Sequence, residues 1–180
     1  MEKVKSLKPY YVKKDFYVGT IGIPDGLVDI LDPGYDEPNW CSMRGKKVRV
    51  GNYKCYVDVV NFPYEIDKKI NDDKRIMSLT IIHVDFADNK DFIQKKRWFT
   101  SKQRIGVDAG LCGFYNHKPD FSDEKSWSRF YQNLKKIDGI DCDTTKANGV
   151  TVSSGFGDGL YGLRYMRENN QVIGLRLLFN

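Results

Sequence analysis

Ile21-Gly-Ile-Pro-Asp-Gly-Leu-Val-Asp-Ile30 is echoed by Ile105-Gly-Val-Asp-Ala-Gly-Leu-Cys-Gly-Phe114, and this pair decides how the chain reads. Each is two short apolar runs parted by a Gly, the pattern of strands joined where the backbone needs freedom or close approach. The first pair is offset by 84 residues, from 21 to 105. Gly51-Asn-Tyr53 recurs as Gly159-Leu-Tyr161 at an offset of 108, and Ile76-Met-Ser-Leu-Thr-Ile-Ile82 as Val172-Ile-Gly-Leu-Arg-Leu-Leu178 at 96. Unequal offsets require an insertion in the second half and a longer loop in the first. Two accounts stand: a diverged duplication over 20–86 and 104–180, or chance likeness among Gly-rich β turns. A duplication implies two β meanders about a pseudo-twofold axis.

The rest of the chain agrees with strands. With 180 residues, 41% hydrophobic, 13% aromatic and 29% charged, it can build one core and lacks the composition of a disordered chain. The expectation is a single domain over 1–180, mainly β (α+β), with the two meanders forming a sandwich or barrel-like sheet pair. Met77 to Val84 is nearly all apolar and reads as a central buried strand. Lys47–Val50 and Tyr53–Val60 flank Gly51-Asn52, which suits a tight hairpin turn. Asp32-Pro-Gly34 and Asn116 to Pro119 read as turns, and Asp138 to Asn148 as an exposed loop. Trp127, Phe130, Tyr131, Leu134 and Ile137 recur at helical spacing, so one amphipathic helix is expected near 123–136. Asp123 and Glu124 open it, Lys135 and Lys136 close it, Ser122 is the N-cap and Gly139 the stop.

Gly149-Val-Thr-Val-Ser-Ser-Gly-Phe-Gly-Asp-Gly-Leu-Tyr-Gly162 is the densest run of Gly. It reads as a hairpin connection before the last apolar strand, with Gly155, Gly157, Asp158, Gly159 and Tyr161 shaping it, and Asp108 and Gly110 read as turn residues of the earlier segment. An Asp beside Gly commonly bonds the backbone of its own turn, so Asp108 and Asp158 are expected to hold turns. The alternative is a metal-dependent hydrolase using the two carboxylates. Asp25, Asp29, Asp32 and Asp36 fit no calcium loop and read as a solvated face.

Val107-Asp-Ala-Gly-Leu-Cys-Gly-Phe-Tyr-Asn116, Ser154-Gly-Phe-Gly-Asp-Gly-Leu-Tyr161 and Gln171-Val-Ile-Gly-Leu-Arg-Leu-Leu-Phe179 together resemble the hallmark segments of a bacterial family, domain of unknown function number 4241. Pro24 to Pro33 and Val50-Gly-Asn-Tyr53 are similar to its upstream segments. The chain carries Gly162 where that family usually has Pro and Asp25 where it has Ser, which makes it a divergent member. The resemblance implies no reaction.

Catalytic signals are sparse. Cys41, Cys55, Cys112 and Cys142 have no zinc spacing and read as reduced, mostly buried thiols. Phe156-Gly-Asp-Gly159 lacks the Lys and Ser or Thr of a phosphate loop, Ser153 and Ser154 lack a nucleophile elbow, and His83 reads as a satisfied core histidine. No catalytic residue, metal or cofactor is assigned.

The charge is +5, with two clusters of cations. Arg44, Lys46, Lys47 and Arg49 form one; Lys95, Lys96, Arg97, Lys102 and Arg104, interleaved with Trp98 and Phe99, form the other. Such a mixture either holds a phosphate backbone while stacking on bases or marks an edge strand whose Lys residues block pairing. The functional expectation is a cytoplasmic, non-enzymatic interaction module that binds and blocks a larger protein or ribonucleoprotein machine through an acidic surface. An inhibitor or immunity protein, such as a phage-borne anti-CRISPR protein, is an instance. Direct nucleic-acid binding through 95–104 is the further alternative. No apolar run reaches the length of about 20 residues that spans a bilayer, so no membrane partner is expected.

Overall fold

The computed structural model describes residues 4–35, 39–121 and 127–180. Its elements in chain order are β1 (Lys5–Ser6), β2 (Tyr10–Ile23), β3 (Leu27–Leu31), β4 (Ser42–Lys47), β5 (Gly51–Asn61), β6 (Tyr64–Ile66), β7 (Lys69–Asn71), β8 (Lys74–His83), α1 (Val84–Ala87), α2 (Lys90–Lys95) and β9 (Trp98–Val107). They continue as β10 (Leu111–Asn116), α3 (Trp127–Gln132), β11 (Lys136–Ile137), β12 (Ile140–Asp143), β13 (Gly149–Ser153), β14 (Gly159–Glu168) and β15 (Gln171–Leu178). The protein is mainly β, in open, sandwich-like antiparallel sheets.

One six-stranded sheet runs β2-β5-β8-β15-β14-β9, a second runs β11-β12-β13-β10-β3-β4, and β1-β6-β7 form a small third sheet. Alternation sets the faces: along β5, Tyr53, Cys55, Val57 and Val59 are buried while the residues between them are not. These side chains meet Ile30, Phe114, Val150 and Val152 of the second sheet in one continuous core. Each large aliphatic so buried contributes about 1.5–3 kcal/mol relative to exposure. β8 lies centrally, as its apolar run requires.

Two ribbons pass from the first sheet into the second. The pair β2/β5 continues as β3/β4, and the pair β9/β14 as β10/β13. Each crossing bends at a Gly of positive φ, Gly26 at 70° and Gly110 at 69°. The echoed segments occupy corresponding ladder positions: Ile21 faces Tyr53 and Ile105 faces Tyr161; Lys54 faces Ile82 and Gly162 faces Leu178. Tyr53 donates its hydroxyl to the Arg49 carbonyl at 2.6 Å and Tyr161 to that of Gly157 at 2.8 Å. Both rings meet an aromatic ring edge-on at 5.2 Å, His83 in one half and Phe179 in the other. The order of the first sheet is therefore balanced about the β8–β15 boundary.

Several expectations need correction. Gly51-Asn52 is not a hairpin turn: β4 and β5 belong to different sheets, and Gly51 begins β5 opposite Ile23. A Cβ on Gly51 would lie 2.5 Å from His83 Nε2, so close packing demands the glycine. The 149–162 stretch is likewise a crossing between sheets, with β13 in the second and β14 in the first. The 138–148 segment contains β12, where Asp141, Cys142 and Asp143 are buried. The helix stops earlier than expected: α3 ends at Gln132, and Lys136 and Ile137 form β11 instead. The expected cap Ser122 and the opening Asp123 and Glu124 lie outside the described residues. Asp29 and Asp32 are fully buried rather than solvated, Asp25 bonds the Leu27 N–H at 3.2 Å, and Asp36 lies outside the described residues.

His83 is a satisfied core residue. Its Nδ1 accepts the Asp85 N–H at 3.2 Å, which leaves Nε2 to donate to the Val50 carbonyl at 3.0 Å. All four cysteines are free and buried, and burial pushes the Cys142 thiol up to about 12.

The two crossings predict a graded response. A Cβ on Gly110 meets nothing within 4 Å, so Gly110→Ala carries only the positive-φ cost, about 1–2 kcal/mol. Gly26→Ala adds a contact of 2.9 Å with the Val48 carbonyl and destabilises more; urea unfolding of both variants should preserve that order.

Candidate interaction surface

The two basic clusters, distant in sequence, lie on neighbouring edges. β9 closes one side of the first sheet and β4 one side of the second. Trp40, just before β4, accepts the Gly106 N–H of β9 at 3.0 Å and so ties the edges together. Across this seam Lys46 places its Nζ 5.9 Å from the Tyr165 ring centroid. Tyr165 stacks on its ladder partner Phe99 at 5.6 Å and 20°. Arg97 lies 5.2 Å over Phe99, and Arg167 5.0 Å over Tyr165. Three cations thus surround one aromatic pair, and none of the three forms an ion pair among the described residues. Phe99 is 38% exposed, so the pair is open to a partner.

Other members of the clusters are engaged elsewhere. Arg44 reaches buried Asp29 at 3.2 Å and Arg49 reaches Asp85 at 2.7 Å. Lys96 pairs with Glu168, and Arg104 donates to the Leu160 carbonyl. Trp98 turns to the opposite face of the sheet, where Arg176 lies 4.6 Å over its ring. Lys47, Lys95 and Lys102 are exposed along the rim. The basic and aromatic candidates therefore divide among the seam, ion pairs and a backbone hydrogen bond at its flanks, the opposite face of the sheet and an exposed rim. Tyr165 and Arg167 were not singled out in the sequence, although the alternation Tyr161-x-Leu-x-Tyr-x-Arg167 holds their signal.

A second aromatic–cation strip lies on the opposite edge of the same sheet. Along β2, Lys13 lies 4.4 Å over Phe16 and Lys14 5.7 Å from the Tyr11 ring, with Tyr10, Tyr11 and Tyr17 all exposed. Its sequence, Tyr10-Tyr-Val-Lys-Lys-Asp-Phe-Tyr17, shows the same interleaving as 95–104.

The acids of the crossings take other roles than expected. Asp108 and Asp158 do not hold their own turns. Asp108 gives its N–H to Asp32 at 2.8 Å, and its carboxylate accepts the Tyr35 hydroxyl. That contact pushes Tyr35 up to about 12. Asp158 is exposed, and the loop is held by Ser154, whose hydroxyl donates to the Gly157 carbonyl at 2.7 Å, and by the Tyr161 hydroxyl. Gly155, at φ 62°, passes where a Cβ would meet the Ile76 carbonyl at 2.7 Å; Gly157 also has positive φ, and Gly159 begins β14. Asp32 is the residue that clamps the corner, accepting from Gly34, Asp108 and Ala109 at 2.7–2.9 Å. Burial outweighs those donors and holds its carboxyl above the usual range. Among the described residues no group of three or more His, Cys, Asp or Glu side chains is placed to hold a metal.

Asp29 is the counterpart clamp beside β4. Burial opposes its ionisation, but the Gly45 N–H, His117, the Lys118 N–H and Arg44 outweigh burial and hold its carboxyl below 3.8. No family model, curated protein or solved structure matches the chain. No helix among the described residues is long and apolar enough to cross a membrane.

Because the folded carboxyl of Asp29 is depressed, its stabilisation is present above pH 3.8 and lost as pH falls through the lower folded value. Asp29→Asn should therefore lower the urea midpoint at neutral pH and flatten its decline in acid. Some decline persists, since Asp143 is depressed too: burial resists, but Thr145 and the Lys135 N–H prevail.

Proposed function

We propose that the protein is a non-enzymatic binding module that occupies an acidic surface on a protein or ribonucleoprotein machine and blocks it. The observation that carries this reading is the seam where Lys46, Arg97 and Arg167 converge on the Phe99–Tyr165 stack. Aromatic and Arg side chains in an exposed, cation-rich patch are the groups that dominate protein recognition. None of the three forms an ion pair among the described residues, and cations so placed accelerate encounter with an acidic partner. An inhibitor or immunity protein, including a phage-borne anti-CRISPR protein, matches this mode of action. The resemblance of the C-terminal segments to domain of unknown function number 4241 is part of the same proposal and adds no chemistry to it.

Edge strands also carry Lys to prevent aggregation, and β4 and β9 serve that purpose whatever else they do. What favours recognition is the arrangement across two sheets. Blocking either edge would not require Lys46 to sit over the ring of a facing sheet.

The test is capture from the native host by tagged wild-type protein and by the K46E/R97E/R167E variant, with and without nuclease. A stoichiometric protein partner should be held by the wild type and weakened at least about tenfold by the variant, since three desolvated charges are reversed. Loss on nuclease treatment would move the reading to a nucleic-acid ligand, whose binding should fall steeply with salt. Equal capture by both proteins would remove the seam from the function.

A further inference from the structure

The outward face of the first sheet carries positive charge that its own residues leave unanswered. Ladder partners share a face, so one row can be followed across all six strands: Tyr17, Tyr56, Thr80, Arg176, Arg164 and Thr100. Their chain neighbours Val57, Leu79, Leu175, Leu177 and Leu163 point into the core, which places the row outside. Arg176 and Arg164 are therefore directly opposite one another, an unfavourable arrangement for two like charges.

The two are held differently. Arg176 donates from Nε to Thr80 Oγ1 at 2.8 Å, its guanidinium lies 4.6 Å over the Trp98 ring, and Asp15 stands 3.7 Å from it. Arg164 is exposed, and its side chain has no hydrogen bond, ion pair or ring contact among the described residues. Further along, Arg104 lies opposite Gly162 on the same face; it donates to the Leu160 carbonyl and forms no ion pair among the described residues. No acid offsets these charges within their own strands: β9 and β15 contain no Asp or Glu, and β14 has only Glu168, which Lys96 takes. The acids of this face lie on its other half, where Asp58 accepts the Asp15 N–H and the Ser78 hydroxyl.

The cationic half is also low in relief. Gly174 lets the Trp98 ring down onto the sheet, 3.2 Å from where a Cβ would stand, and a Cβ on Gly162 would meet nothing within 4 Å. From Met166, the ladder partner of Trp98, to exposed Leu160 the strand runs about 20 Å, at about 3.3 Å per residue.

We propose that this half of the face binds a single strand of nucleic acid. Its phosphates lie on Arg164 and Arg104, and one base stacks on the Arg176 guanidinium, which Trp98 and Thr80 hold in place. A polyanion resolves the opposition of Arg164 and Arg176 that the fold leaves standing. Arginines spread along a strand suit a backbone of repeated phosphates better than one small anion, and a duplex would hide the base faces that the stack requires. The seam lies on the other face of β9, where Phe99 meets Tyr165, so this assignment does not rest on it.

Fluorescence anisotropy of the full chain with labelled oligo-dT and oligo-U of about eight nucleotides tests the face. Both strands should bind with Kd below about 100 µM at low salt. Affinity should fall with salt at a log–log slope of about −1.4 to −2.1, as two or three neutralised phosphates give. R104E/R164E should bind at least about tenfold more weakly and with a shallower slope. Arg164→Gln serves if that variant does not fold: it relieves the opposed pair, so binding should weaken while the urea midpoint holds or rises. Arg176→Lys keeps the charge but loses the planar surface, so binding should weaken with the slope retained. K46Q/R97Q/R167Q should hold both strands within about threefold of wild type at physiological salt, which separates failure here from failure of the seam. Salt-independent binding, a duplex held as tightly as either strand, undiminished binding by folded R104E/R164E or Arg164→Gln, or loss confined to the seam variant would overturn the assignment.

Discussion

The structure depends on two places where a pair of strands leaves one sheet and enters the other without ending. Each ribbon turns its corner at a residue with a positive φ that L side chains resist, and Gly26 and Gly110 supply it. Once both ribbons turn, the inner faces of the sheets must close on one another. The tyrosine at each crossing, Tyr53 or Tyr161, then ties its hydroxyl to the carbonyl four residues earlier and fills the corner beneath. Core, sheet order and edge placement follow from that geometry.

The cationic seam is one consequence. β4 is the end of a ribbon that has crossed into the second sheet, whereas β9 has yet to cross, so their free edges come side by side. Residues separated by about fifty positions in the chain are thereby drawn around Phe99 and Tyr165. A surface of this kind has long-range charge for encounter and exposed aromatic area for contact, which are the two requirements of a binding face. The structural ion pairs Arg44–Asp29 and Lys96–Glu168 anchor its flanks.

The second consequence is asymmetry. Two halves that share ladder register need not share side chains beyond the corner, and they part company where Asp32, whose N–H donates to the Cys41 carbonyl, is matched by Asn116, whose N–H donates to the Asn148 carbonyl. In one half a carboxylate gathers backbone N–H groups and an indole seals the edge. In the other Pro24 has no N–H to donate, and the Asn116 side-chain oxygen is buried without a partner. Buried polar groups are nearly always paired, and Asn116 Oδ1 is the one buried side-chain atom among the described residues without a partner.

The sequence by itself determined the strand character, the central place of the 77–84 run, the burial of the cysteines and the glycines at 26 and 110. These follow from local rules, since a period-two apolar pattern and a residue without Cβ carry their meaning within a few positions. Partnership did not follow. Gly51-Asn52 has the composition of a hairpin turn, yet its neighbours lie in different sheets, and only the packing of His83 explains the glycine. Asp29 and Asp32 look solvated in an acidic stretch, because the N–H groups that bury them come from Gly45 and Lys118 and from Asp108 and Ala109. The basic clusters were visible, but Tyr165 and Arg167, which join them, lie about sixty residues beyond the nearer cluster. Tertiary structure alone decided which edges meet and which corner is clamped, because both depend on side chains brought together by the crossing and not on any pattern within a strand.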